Sequence, residues 1–329
     1  MPKPTLLPVS KPAAYAYQFY AFPLSIIAQS PGSEQWLYSN YIQLAYDPRG
    51  QACHVPFCFY LNDYARSPWL SSHRVRREWF AGPRLLQNIA DAVADGWYVY
   101  LMWDEWHVER RRYHREEMYP HDVLIHGFDP AAGTIQAFGY DERYQLSSLA
   151  IPVEQFEAAS ASLDENVDFE TPMILYKPRD GSEYGVDVEL VVRTLGEYVE
   201  GFNTSTHFAM ETAPMERFYG VETYEPLADY LAGYLRGSIE YDIRHLQVLW
   251  EHKRLMAARM KHLASTFPAL DDLLPEFNRL QRASLRLRND LLRIEHLGHQ
   301  RTLSPRDALL SLRDAEIPLL QRSMSILQA

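Results

Sequence analysis

The sequence predicts an α+β domain followed by an α-helical bundle domain. In the first half, short apolar and aromatic runs bounded by turn residues alternate with amphipathic segments, the mark of strands mixed with helices. In the second half apolar residues recur at three- and four-residue spacing over long stretches, as packed helices require. A polar stretch, "RDGSEYG" (Arg179 to Gly185), separates the two. The expected domains are therefore 1–180 and 181–329.

The elements follow in order. "FCFYL" (Phe57 to Leu61) reads as a short aromatic strand. "PRLLQNIADAVADG" (Pro83 to Gly96) reads as a helix: Pro83 sits in its first turn, Leu85, Leu86, Ile89 and Val93 share a face, and Gly96 ends it. "WYVYLMW" (Trp97 to Trp103) is apolar throughout, as a central strand is. "HDVLIHGF" and "TIQAFGY" are two more strands, "PVEQFEAASASL" is a short helix, and "MILYK" a closing strand. Val186 to Gly201 is an amphipathic helix ending in glycine. Tyr224 to Ala264 carries one long helical pattern, weakened at Gly233 and Gly237. Phe277, Leu280, Ser284, Leu287, Leu291 and Ile294 form a helix seam. A last helix starts with Ser304 as N-cap and Pro305 in its first turn, and Pro318 should kink or divide it.

The chain has 329 residues, 47% of them hydrophobic, enough for a sizeable core. Its 22 tyrosines suit half-buried walls and interfaces. A net charge of −11 argues against a nucleic-acid surface, whose affinity needs clustered cations. The basic run "RRRYHR" (Arg110 to Arg115) precedes Glu116 and Glu117 and reads as a solvated loop. Two cysteines, Cys53 and Cys58, make no disulfide framework and suggest a reducing cytoplasm. Four prolines in the first twelve residues do not fit a signal peptide, and no apolar stretch has membrane-spanning length. No cofactor motif is present.

The chemistry concentrates in "YPHDVLIHGFDPAAGTIQAFGYD" (Tyr119 to Asp141). "DPAAG" is a turn. Pairing about Ala131 sets opposite each other residues whose numbers sum to 262, so His121 should face Asp141. A carboxylate there would orient the imidazole. Alternation puts His121, Val123 and Ile125 on one face and Asp122, Leu124 and His126 on the other, so the two histidines do not serve one site.

The stretches "DGWYVYLMWDEWHVERRRYHREEMYPHDVLIHGFD" and "IQAFGYDERYQLSSLAIPVEQFEAA" resemble the papain-like family that includes butirosin biosynthesis protein H and related proteins of nonribosomal peptide clusters. "EHKRLMAARMKHL" in the later helices is weakly similar. The resemblance implies a papain-like first domain with a central antiparallel sheet. It also implies a cysteine at a helix start that attacks a carrier-bound thioester, with His121 as base, Asp141 as its orienting group and Asp104 as the strand-end acid. This chain departs from that pattern. The segment "EQWLYSNYIQLAYD", where the nucleophile is expected, has no cysteine. Ser39 is the nearest hydroxyl, and Gln35 a candidate oxyanion donor. Cys53 is a second candidate nucleophile or a small core residue; Cys58 is core. Asp104, His107 and His121 offer a zinc alternative, although no metal is expected.

The resemblance thus implies an acyl or aminoacyl transferase or hydrolase of natural-product biosynthesis, acting on an acyl or peptidyl carrier protein, a peptide or a small molecule. The missing cysteine supports the alternative, a catalytically degenerate protein that binds a carrier domain or peptide product. No nucleic-acid or membrane partner is expected.

Overall fold

Residues 4–47, 55–77, 84–166, 173–181, 183–297 and 304–329 are described in the computed structural model. The chain gathers into two units. One is Met1–Pro31 with Asp63–Glu183; the other is Gly32–Asn62 with Tyr184–Ala329. The chain thus passes into the second unit at residue 32 and returns at 63, an excursion that a single boundary near residue 180 does not include.

The first unit is built on an antiparallel sheet. Its strands are β1 (Thr5–Leu6), β4 (Leu70–Val75), β5 (Tyr98–Asp104), β6 (Pro120–Asp129), β7 (Thr134–Tyr140), β8 (Leu146–Pro152) and β9 (Met173–Pro178). Their order is β4-β9-β5-β6-β7-β8, with β1 pairing onto β6. Helices α1 (Gln18–Ile27), α3 (Leu85–Ala94) and α4 (Val153–Asn166) complete it. β5 is central, which explains its unbroken apolar run: it is covered on both faces. Val99, Leu101 and Trp103 join Leu85, Ile89 and Val93 of α3 and Phe156 and Ala159 of α4 in one buried cluster. On α1, Phe22 meets Tyr100 and Phe138 with ring centroids 5.9 and 6.1 Å apart. β4 and β8 lack the strong alternation that would mark them in sequence; β4 is an edge strand with one buried residue, at Leu70. Pro83 lies outside the described residues, and Gly96 leaves α3 at φ 84°, a conformation that glycine adopts at no steric cost.

The second unit holds a three-stranded sheet in the order β10-β2-β3. These are β2 (Leu44–Tyr46), β3 (Phe57–Phe59) and β10 (Phe218–Tyr219). Its helices are α2 (Ser33–Asn40), α5 (Val188–Glu200), α6 (Tyr224–Leu235), α7 (Ile243–Leu263), α8 (Leu274–Leu297) and α9 (Pro305–Leu327). Two expectations are corrected. The single pattern from Tyr224 to Ala264 is two helices: Gly237 turns left-handed at φ 72°, and the Asp242 carboxylate accepts the Arg244 N–H to start α7. Of the two outcomes expected at Pro318, a kink or a division, division does not occur, since α9 runs through it. The seam expected on α8 is buried at Phe277, Leu280, Ser284, Leu287 and Leu291.

Helix α7 buries charge. Lys253 Nζ lies 2.6 Å from both Glu316 oxygens, and the Tyr198 and Tyr224 hydroxyls donate to the same carboxylate at 3.0 and 2.9 Å. Arg259 donates to the carbonyls of Tyr38 and Tyr41. His252 is fully buried between these cations, with Nε2 2.9 Å from the Ile42 carbonyl and Nδ1 3.0 Å from Lys253 Nζ. The Ile42 carbonyl needs a donor, so Nε2 carries the proton and Nδ1 accepts from the ammonium. A buried ion pair is costly to desolvate and holds only when its remaining hydrogen-bond positions are filled, as they are at Glu316.

This predicts a pH dependence with a definite sign. Burial, then Lys253 and Arg259, hold the His252 imidazole well below its ordinary range; burial also lowers His245 and His126. A lowered folded value favours the neutral ring. The contribution is complete above the unfolded value of about 6.5 and is lost as pH falls below it. The melting temperature should drop between about pH 7.5 and about pH 5.5, and the drop should shrink in His252→Gln. A flat or rising profile would show that these rings are not buried neutral.

Candidate functional site

Regular pairing of β6 with β7 covers Leu124↔Phe138 and Ile125↔Ala137, both on the expected sum, before a bulge at His126. The bulge buries His126 in contacts of its own: Nδ1 is 2.8 Å from the Leu7 carbonyl and Nε2 2.7 Å from Ser148 Oγ. At the other end the strands part. On that register Val123 would next face Gly139 and Asp122 would then face Tyr140, and the side chain of Gln18 lies between these last two. Tyr140 N–H donates to Gln18 Oε1 at 2.9 Å, which fixes the orientation of the carboxamide. Gln18 Nε2 then donates to the Asp122 carbonyl and to Asp122 Oδ1, both at 2.7 Å, and lies 3.0 Å from His121 Nδ1. Its two protons go to these two Asp122 oxygens.

Gln18 is the first residue of α1, so this helix start sets its side chain beside the His121 ring. That ring is 31% exposed and lies 5.5 Å from the Tyr119 ring, which in turn stacks on Tyr113 at 3.9 Å. Nδ1 is 3.3 Å from Asp122 Oδ1 and 3.9 Å from Glu105 Oε1. Nε2 has no partner among the described residues. Burial pushes the Glu105 carboxyl above the usual carboxylate range, against the pull of His121 and Arg111. Arg111 lies over Trp103, its Cζ 5.0 Å from the ring, and donates through Nη1 to the Tyr140 carbonyl. Burial lowers its guanidinium to about 10.

The expected site residues are distributed differently. Asp141 does not reach His121. The strands have parted there, and the Asp141 carboxylate instead closes the turn after β7, with Oδ1 accepting from the N–H groups of Arg143 and Gln145 at 2.9 Å each. Asp104 is equally occupied: Oδ1 accepts from Trp106 and Tyr119 N–H, and Oδ2 from Ser162 Oγ at 2.7 Å. Ser39 belongs to the second unit. It is 0% exposed, donates to the Gln35 carbonyl at 3.0 Å and accepts from Asp187 N–H at 2.9 Å. Its segment is the helix α2. Gln35, in the same helix, provides that backbone carbonyl. Cys53 lies outside the described residues, and Cys58 is buried in β3. His107 Nε2 comes no closer than 3.9 Å to Asp104, and no group of three metal-binding side chains occurs among the described residues.

Gln18, Glu105 and Asp122 approach His121, and Tyr140 and Arg111 join them through Gln18; the sequence reading assigned none of the five a role at His121. "RRRYHR" is solvated at Arg110, Arg112 and Arg115, but Arg111 is buried. A signal for Gln18 exists: "QFYAFPLSII" has only two polar residues, and a polar side chain in an apolar helix must find a partner.

Gly139 makes this arrangement possible. A Cβ there would lie 2.8 Å from Gln18 Oε1 and 2.9 Å from Arg111 Nη1. Gly139→Ala should displace one of them and cost about 1–3 kcal/mol. Gly196, in α5 with open space at its Cβ position, is the control; Gly196→Ala should leave stability unchanged or raise it. Equal melting temperatures for both variants would mean that the Gln18–Arg111 approach is not tight. No family model and no curated protein matches this chain.

Proposed function

We propose that the protein is a papain-like scaffold that binds a ligand at the half-exposed His121 rather than catalysing acyl transfer. The supporting observation is the carboxamide of Gln18 at the helix start beside His121. A catalytic thiol or hydroxyl must meet its base within hydrogen-bond reach. The group within that reach of Nδ1 is an amide, whose nitrogen lone pair is delocalised and whose protons are engaged with Asp122. Ser39 supports the same reading, because both its donor and an acceptor position are used inside its own unit. The resemblance in the His121 strand supplies the ligand class: a carrier domain or a peptide product of natural-product biosynthesis. No helix of the described residues is long and apolar enough to cross a membrane, and the reading requires no membrane partner.

The test is intact-mass measurement after incubation with acyl thioesters of N-acetylcysteamine. The unaltered protein should gain no acyl mass and should not accelerate thioester hydrolysis. Gln18→Cys places a thiol at a helix start beside an imidazole, a setting that favours thiolate. Iodoacetamide should label it about tenfold faster than Cys58. An acyl adduct on Ser39 or Cys53 of the unaltered protein, lost in the matching alanine variant, would replace this reading with covalent catalysis.

A further inference from the structure

Arg111 is 3% exposed, yet two of its guanidinium nitrogens, Nε and Nη2, have no hydrogen-bond partner among the described residues. These two form one edge of the guanidinium plane, the edge that accepts a carboxylate in bidentate fashion. Beneath it lies Trp103, fully buried, whose indole Nε1 also has no partner. Three buried donors thus belong to two side chains in contact, the Arg111 Cζ standing 5.0 Å from the Trp103 ring. Buried N–H groups are otherwise almost always paired, because leaving them unmade forfeits their hydration without return. The nearby acids do not fill the edge. Asp141 is bonded to its own turn, Asp122 to Gln18, and Glu105 is held towards its neutral form by burial.

The surrounding backbone points the same way. Among the described residues, the non-glycine residues at positive φ are Arg110 (62°), Arg115 (57°) and Tyr144 (56°). The first two belong to the loop that carries Arg111, and the third to the turn closed by Asp141. Left-handed non-glycine residues cost free energy, and they gather where a loop must hold a functional group in place.

We propose that Arg111 and Trp103 form a carboxylate-binding site, and that the ligand bound at His121 carries a free carboxylate, such as a peptide C-terminus. The proposal rests on reading the His121 cluster as a binding site and adds the chemical class of what it binds. Arg111 Nε–H and Nη2–H take the two carboxylate oxygens, and Trp103 Nε1–H donates to one of them. The exposed edge of His121 meets the part of the ligand beyond the carboxylate. Nη1 stays on the Tyr140 carbonyl, so binding needs no change in the Gln18 clasp.

The test uses acetate as the probe and acetamide as its uncharged match, with the unaltered protein labelled with nitrogen-15. The Arg111 Nε–H and Trp103 indole resonances should shift saturably with acetate, and at least tenfold more acetamide should be needed for any shift. Trp103→Phe assigns the indole signal. Arg111→Lys, which keeps the charge but removes the fork, should weaken acetate binding at least tenfold. Equal response to acetate and acetamide, or no saturable response of either resonance, overturns the proposal. Both readouts come from the unaltered protein, so a variant that fails to fold leaves the test intact. Failure here is separate from acyl-adduct formation, which bears on catalysis alone.

Discussion

A buried carboxamide brings two donors and an acceptor into the protein, and Gln18 uses them to replace a missing rung between two strands. The Tyr140 N–H and the Asp122 carbonyl sit at the point where β6 and β7 separate. Removing Gln18 would take an acceptor from the Tyr140 N–H and a donor from the Asp122 carbonyl, and a polar group left unsatisfied costs about 1–3 kcal/mol. The same side chain fixes α1 against the sheet and stands beside the His121 ring. The positions of Tyr140, Arg111 and His121 depend on this clasp, since Tyr140 gives its N–H to Gln18 and its carbonyl to Arg111.

Lys253 and Arg259 of the helical unit and Arg111 of the sheet unit are held differently. In the helical unit, Glu316 receives Lys253 and two tyrosine hydroxyls, and Arg259 ends on backbone carbonyls. Those charges are satisfied internally and belong to the fold. In the sheet unit, Arg111 spends one nitrogen on Tyr140 and leaves an edge unpaired. Completeness of hydrogen bonding therefore separates structural polarity from polarity available to a ligand.

Much of the sheet was legible in the sequence because strands β5, β6, β7 and β9 carry apolar runs bounded by clear turns. The hairpin register about Ala131 is also present at Leu124↔Phe138 and Ile125↔Ala137. Extending that register to His121 and Asp141 failed for a reason no local pattern contains: a side chain more than a hundred residues away occupies the gap. Arg111 was hidden by its neighbours, since a run of basic residues has one signature whether or not one of them turns inward. The break between α6 and α7 was marked by Gly237 and Asp242, but continuous apolar spacing on both sides masked it. β4 and α2 were missed because an exposed edge strand and a short, weakly amphipathic helix lack a strong period.

The central claim is that Gln18 is a clasp between strands, not a bystander near a catalytic pair. Site-resolved hydrogen exchange at the Tyr140 amide tests it directly, in the unaltered protein and in Gln18→Ala. The clasp predicts a protected Tyr140 amide that loses protection in the variant, while Ala137 and Phe138 on the paired part of β7 stay protected. If the Tyr140 amide exchanges at the same rate in both proteins, the strands are held apart by something else and the account of the site fails.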